Sequence, residues 1–129
     1  MTGFSRQFSL WLESSCLTKL ANYAHSLFAL QHFEEANALL RKTIPVARRV
    51  LGEGHLLTLK MRCVYAQSLC KDAGAPLDAL REAVTMLEDV DRIARRVFGG
   101  SHPHTSAIEH TLQDARAALR ARETPSTSA

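Results

Sequence analysis

Apolar residues recur at three- and four-residue spacing along almost the whole chain, the period of one face of an α-helix. Leu17, Leu20, Ala24 and Leu27 make a first stripe. After a turn at Gln31 and His32, Phe33, Ala36, Leu39, Leu40, Val46, Ala47, Val50 and Leu51 make a second. Gly52 ends it, since glycine reaches the left-handed backbone that closes a helix at no steric cost. The same reasoning predicts a third helix over 57–71 and a fourth over 76–98, with Pro76 at the helix start, where a missing N–H costs nothing. A fifth, over 104–122, carries Ile108, Leu112, Ala115 and Leu119. Pro45 falls inside the second helix and removes a donor there, so a kink or break is expected at 43–45. Phe4, Phe8, Trp11 and Leu12 also keep helical spacing, as expected of a capping helix or the remnant of a preceding unit.

The helices are related in pairs. Tyr23-Ala24-His25-Ser26-Leu27 returns 42 positions later as Tyr65-Ala66-Gln67-Ser68-Leu69. Ala47-Arg48-Arg49-Val50-Leu51-Gly52 returns 47 positions later as Ala94-Arg95-Arg96-Val97-Phe98-Gly99. Glu35-Ala36 and Glu82-Ala83, His55 and His102, and Thr58 and Thr105 keep that second offset. The extra residues fall in Asp72-Ala73-Gly74-Ala75-Pro76, a turn-forming string where an insertion adds little closure entropy. The expectation is an all-α stack of antiparallel helix hairpins, about two and a half units and five main helices. Ala24, Ala66, Ala36 and Ala83 permit close helix approach, and Leu27, Leu40, Leu69 and Leu87 fill the space between. One hairpin buries too little to stand alone, so stability comes from stacking on the next.

The string Glu34-Glu35-Ala36, with Leu39-Leu40 and then Arg49-Val50-Leu51-Gly52-Glu53-Gly54-His55 and Thr58, resembles the 42-residue tetratricopeptide repeats of kinesin light chain. Phe98-Gly99, His102-Pro103 and Thr105 repeat that ending more fully. The resemblance covers roughly 17–119. It implies a right-handed superhelix whose first-type helices line a concave groove that holds extended or helical peptides. Carried over position by position, it implies groove contacts from Asn22, His25, Lys60, Gln67 and Lys71. Thr18, Ala21, Ala29, Cys63 and Val64 stand beside them, and His110 and Asp114 follow on the fifth helix.

Composition adds exclusions more than functions. A formal charge of +3 and a pI of about 9.0 are mildly basic. Acids are interspersed among the Lys and Arg side chains, without the one-sided basic face or interleaved aromatics of a nucleic-acid surface. Cys16, Cys63 and Cys70 contain no CxxC pair, so neither a disulfide framework nor a zinc site is signalled. Cys63 and Cys70 lie two helical turns apart, too far to bond with each other. His102 and His104 flank Pro103, but His102 is the repeat partner of His55, which assigns it to the turn between units. Glu88, Asp89 and Asp91 each have an Arg three or four residues on, Arg92 for the first two and Arg95 for the third, the spacing of solvated ion pairs. No phosphate loop, nucleophile elbow or metalloprotease pattern occurs.

The reading is therefore a cap or repeat remnant over 1–16, a tetratricopeptide-like domain over 17–122 and a disordered tail over 123–129. Its function is that of a cytoplasmic adaptor or scaffold that binds a protein or peptide partner, with no catalysis, cofactor, metal or membrane association. Two alternatives stand beside it. The chain extends or self-associates within a larger array through exposed ends, or Arg48, Arg49, Arg95 and Arg96 make a basic module that touches nucleic acid.

Overall fold

A computed structural model describes the backbone of residues 2–124 and the side chains of residues 15–124. Five α-helices follow one another: α1 (Thr2–Ala29), α2 (Phe33–Val50), α3 (Leu56–Lys71), α4 (Leu77–Phe98) and α5 (Pro103–Glu123). No strand occurs among the described residues. α1 is one continuous helix, so the 16/17 division falls inside it. The side chains of Phe4, Phe8, Trp11 and Leu12 lie outside the described residues, as does the tail from 125 onward.

Each turn has a local cause. α1 ends with the amides of Gln31 and His32 donating to the carbonyls of Phe28 and Leu27, at 2.9 and 2.8 Å. That pair of bonds forces Gln31 to a φ of 65°, the only non-glycine residue with positive φ among those described. α2 begins with Glu34 and Glu35 and ends with Arg48 and Arg49, charges that suit the two ends of a helix dipole. Gly52 and Gly99 close the two units at φ 95° and 91°. His55 and His102 then start α3 and α5 in the same way: each ring Nδ1 accepts the amide N–H two residues on, at 3.1 Å. Between α3 and α4 the Asp72 carboxylate accepts from the Gly74 amide at 3.0 Å, which folds the inserted string into a tight turn.

Of the kink or break expected at 43–45, the break does not occur. α2 runs unbroken through Pro45. The ring costs one backbone donor, and Thr43, two residues before it, uses its hydroxyl to bond the Leu39 carbonyl at 2.7 Å.

Packing follows the repeat. α1 and α2 form one hairpin, α3 and α4 the next, and α5 packs on α4. α2 also packs on α3, and the first-type helices α1, α3 and α5 touch in series, whereas the backbones of α2 and α4 stay apart. The layer of α1, α3 and α5 is thus tight and the outer layer splayed. That asymmetry curves the stack and leaves its inner side concave. Leu40, Met61, Ala83 and Leu87 are buried at the heart of a core that runs across both hairpins, and Leu59 with Val90, Ile93, Ala94 and Ile108 carries it to α5. The two buried Thr residues act as joints: Thr58 donates to the Ala47 carbonyl and Thr105 to the Ala94 carbonyl, each at 3.4 Å.

Candidate functional site

The helical period that buries Leu17, Ala24 and Leu27 against the core turns Thr18, Ala21, Asn22 and His25 of α1 toward the concave side. α3 contributes Lys60, Cys63, Val64 and Gln67, and α5 contributes His104, Ala107 and Thr111. Together they line one cavity of about 510 Å³. Its floor is apolar, with Leu57 and Ile108 added, and its polar groups sit at intervals above that floor. Small cavities of this make-up, apolar with a few convergent polar groups, are where ligands bind.

Four of the five groove residues named from the sequence, Asn22, His25, Lys60 and Gln67, meet in this cavity. Lys71 does not. It lines a neighbouring cavity of about 280 Å³ with Cys70, Thr111 and Asp114, and Gln67 belongs to both. The Lys71 ammonium also lies 5.3 Å from the centre of the Phe28 ring, a cation–π distance that ties the end of α3 to α1. His110 is absent from the lining of either cavity and lies 3.6 Å from Asp114 on the exposed side of α5.

His104, Ala107 and Thr111 are the wall that sequence reasoning missed. Thr111 is one residue beyond His110, and such a small offset on a helix turns a side chain by about 100°. His104 is held in place by an aromatic cluster. Its ring stacks on His102 with centres 5.0 Å apart, and Phe98 lies 5.0 and 5.7 Å from the two. His102 itself is engaged by the α5 amide, so the HxH pair serves the turn. Among the described residues no cluster of His, Cys, Asp or Glu is arranged to hold a metal ion.

Lys60 is the one formally charged residue in the lining of the larger cavity, and Asp114 lies in that of its neighbour. The cavity lining includes Lys60, His25 and His104 and no carboxylate. Cys63 sits among them, but burial pushes its thiol up to about 12, which keeps it protonated at neutral pH and a poor nucleophile. Burial raises the Cys70 thiol as well.

The outer face is arranged differently. Arg48 is paired with Glu53, and Arg95 with Asp91 at 3.0 Å and Glu109 at 3.1 Å. The hydrogen bond to Asp91 raises the Arg95 guanidinium above its usual range. Two of the four arginines of the basic ladder are therefore neutralised by neighbours. Of the ion pairs expected along α4, Asp89–Arg92 and Asp91–Arg95 are present, at 3.7 and 3.0 Å. Glu88 instead reaches across to Arg116 of α5 at 3.0 Å.

Residues 15–56 match the tetratricopeptide repeat family. The matched stretch runs from within α1, through α2, to the first residue of α3, which is one hairpin and the turn into the next. The fold is a tetratricopeptide-like helical stack. The second hairpin joins it through the internal repeat and the paired turns at Gly52 and Gly99. No curated protein and no solved structure matches the chain. Tetratricopeptide repeats are typically interaction modules without catalysis, and no described helix is long and apolar enough to cross a membrane.

Proposed function

We propose that the concave face of α1, α3 and α5 holds a segment of a partner protein and that the chain acts as an adaptor or scaffold in the cytoplasm, without catalysis. The observation that carries this reading is the convergence of Asn22, His25, Lys60 and Gln67, from two units, on one open cavity with an apolar floor. Amide and ammonium groups at that spacing can satisfy the backbone and acidic side chains of an extended peptide, while the floor takes its apolar side chains. Cationic lining without a carboxylate favours a neutral or acidic segment over a basic one.

The likeness to kinesin light chain repeats bears on the scaffold more than on the cargo. Those repeats commonly present paired asparagines to the groove. Here Asn22 stands with Ala21 beside it, and the second unit has Cys63 and Val64. The groove is therefore read as a peptide site with its own specificity.

The test is a partner co-purified with the whole chain from its native cell. Substituting Asn22→Ala together with Lys60→Ala, both exposed, is expected to weaken that complex at least about tenfold while the circular dichroism spectrum is kept. Undiminished binding by the folded double variant would refute the groove assignment.

A further inference from the structure

The three first-type helices use one face in the same way, except at the start of the stack. On α3, Thr58, Met61, Tyr65 and Ser68 are 0, 1, 4 and 0% exposed. They are covered by the preceding second-type helix, α2. Thr58 donates to the Ala47 carbonyl, Arg41 donates to the Tyr65 hydroxyl at 3.1 Å, and Ser68 donates to the Phe33 carbonyl at 3.3 Å. On α5 the repeat partners Thr105, Ile108, Leu112 and Ala115 are buried in turn beside α4.

The corresponding residues of α1 are Cys16, Lys19, Tyr23 and Ser26, and all four are exposed. Tyr23 is 56% exposed where its counterpart Tyr65 is 4%, and Leu30, one turn beyond Ser26, is 67% exposed. Ser26 shows the same vacancy of role. Its hydroxyl turns back to the Asn22 carbonyl of its own helix at 3.0 Å, whereas Ser68 spends the same hydroxyl on the neighbouring helix. Residues 2–14 continue α1 itself, so that stretch does not fold back as the covering helix.

We infer that this face of α1 is a docking seat for an amphipathic helix of the α2 type, brought by a partner protein. The filled seats define its chemistry. It spans about four turns, from Cys16 to Leu30. It presents a small residue to Cys16, as Ala47 meets Thr58, and an arginine over Tyr23, as Arg41 lies 5.9 Å from the centre of the Tyr65 ring. Lys19 replaces the apolar Met61, so the docking helix carries a carboxylate at that step.

A second copy of this chain does not offer such a helix. Its α2 is already enclosed between α1 and α3, and its α4 between α3 and α5. Its far end is closed as well. Leu59, Ala66 and Leu69, which pack on α4 from α3, are replaced on α5 by Ser106, Gln113 and Arg116, all exposed. One end of the stack is thus finished with polar groups and the other with an aromatic, an aliphatic and a cation.

The probe is a fluorescently labelled peptide of residues 31–55 of this chain, the segment that fills the α3 seat, titrated with the whole protein. Saturable binding is expected, weakened at least about tenfold by Tyr23→Asp and by Leu30→Asp in the protein and by Arg41→Ala in the peptide, and unchanged by Lys60→Ala. Both protein positions are largely exposed, so the variants are expected to keep their circular dichroism spectrum. Absence of binding, or binding indifferent to both seat variants, would overturn the inference. So would sedimentation showing that the unliganded protein pairs with itself through Tyr23, because the seat would then belong to a second copy.

Discussion

The hydroxyl of Thr105 donates to the carbonyl of Ala94 across the joint between α4 and α5. Thr58 makes the same bond to Ala47, at the same 3.4 Å and the same place in the preceding unit. Both Thr residues are completely buried, so each hydroxyl left without its acceptor would lose solvation as well as the bond.

Replacing either Thr with Val keeps the shape and removes the donor. Each change is expected to cost about 1 kcal/mol in urea unfolding. The two joints lie one unit apart, so the costs should add in the double variant. A markedly smaller sum would show that the joints are not independent.

Gln31 holds a left-handed conformation that glycine adopts without penalty, and its side chain is exposed. Gln31→Gly is therefore expected to stabilise the chain by about 0.5–1 kcal/mol, read as a higher midpoint of thermal unfolding. Gly52→Ala, at φ 95°, should do the opposite although nothing crowds its side chain.

Among the described residues Arg62 is the one charged side chain buried in the core. It is 4% exposed and donates to Asp89 at 2.8 Å, while its Nε and Nη1 have no hydrogen-bond partner. Asp89→Ala leaves that cation alone and is expected to destabilise by about 2–3 kcal/mol. Arg62→Met removes the charge with its desolvation cost and should be neutral or stabilising, which equilibrium unfolding of the two variants would distinguish.

Burial raises the Cys63 thiol from 9.0 to about 12. Between those values the folded chain keeps a proton that the unfolded chain releases, so stability falls as pH rises. The contribution is complete below pH 9.0 and is lost on approach to about 12, with a slope of at most about 1.4 kcal/mol per pH unit. Cys63→Ala is expected to remove that share of the alkaline slope in urea melts. At neutral pH, iodoacetamide should label the exposed Cys16 first and Cys63 last.

The hairpins were legible in the sequence because their signals are local and doubled. Gly52 and Gly99, His55 and His102, and Thr58 and Thr105 each repeat a turn whose geometry depends on a few adjacent residues. Contacts between helices were less so. Glu88 has Arg92 four residues on, yet it bonds Arg116, since which way α4 faces α5 is decided by the packing of Val90 and Ile93. Arg62 carried no signal, as an arginine at helical spacing looks solvated until α4 brings Asp89 against it. Asn22, His25, Lys60 and Gln67 share one cavity because α1 and α3 repeat each other closely. The α5 wall was misplaced by a residue or more because its sequence departs from theirs.

The groove assignment is tested most directly by where a peptide lands. Peptides selected from a displayed random library against the whole chain, added to the isotopically labelled protein, would give amide shift changes residue by residue. Changes are expected to cluster on Asn22, His25, Lys60, Gln67 and Thr111. Changes confined to the outer residues Arg48, Arg49, Arg95 and Arg96, or peptides that bind without disturbing α1 and α3, would contradict it.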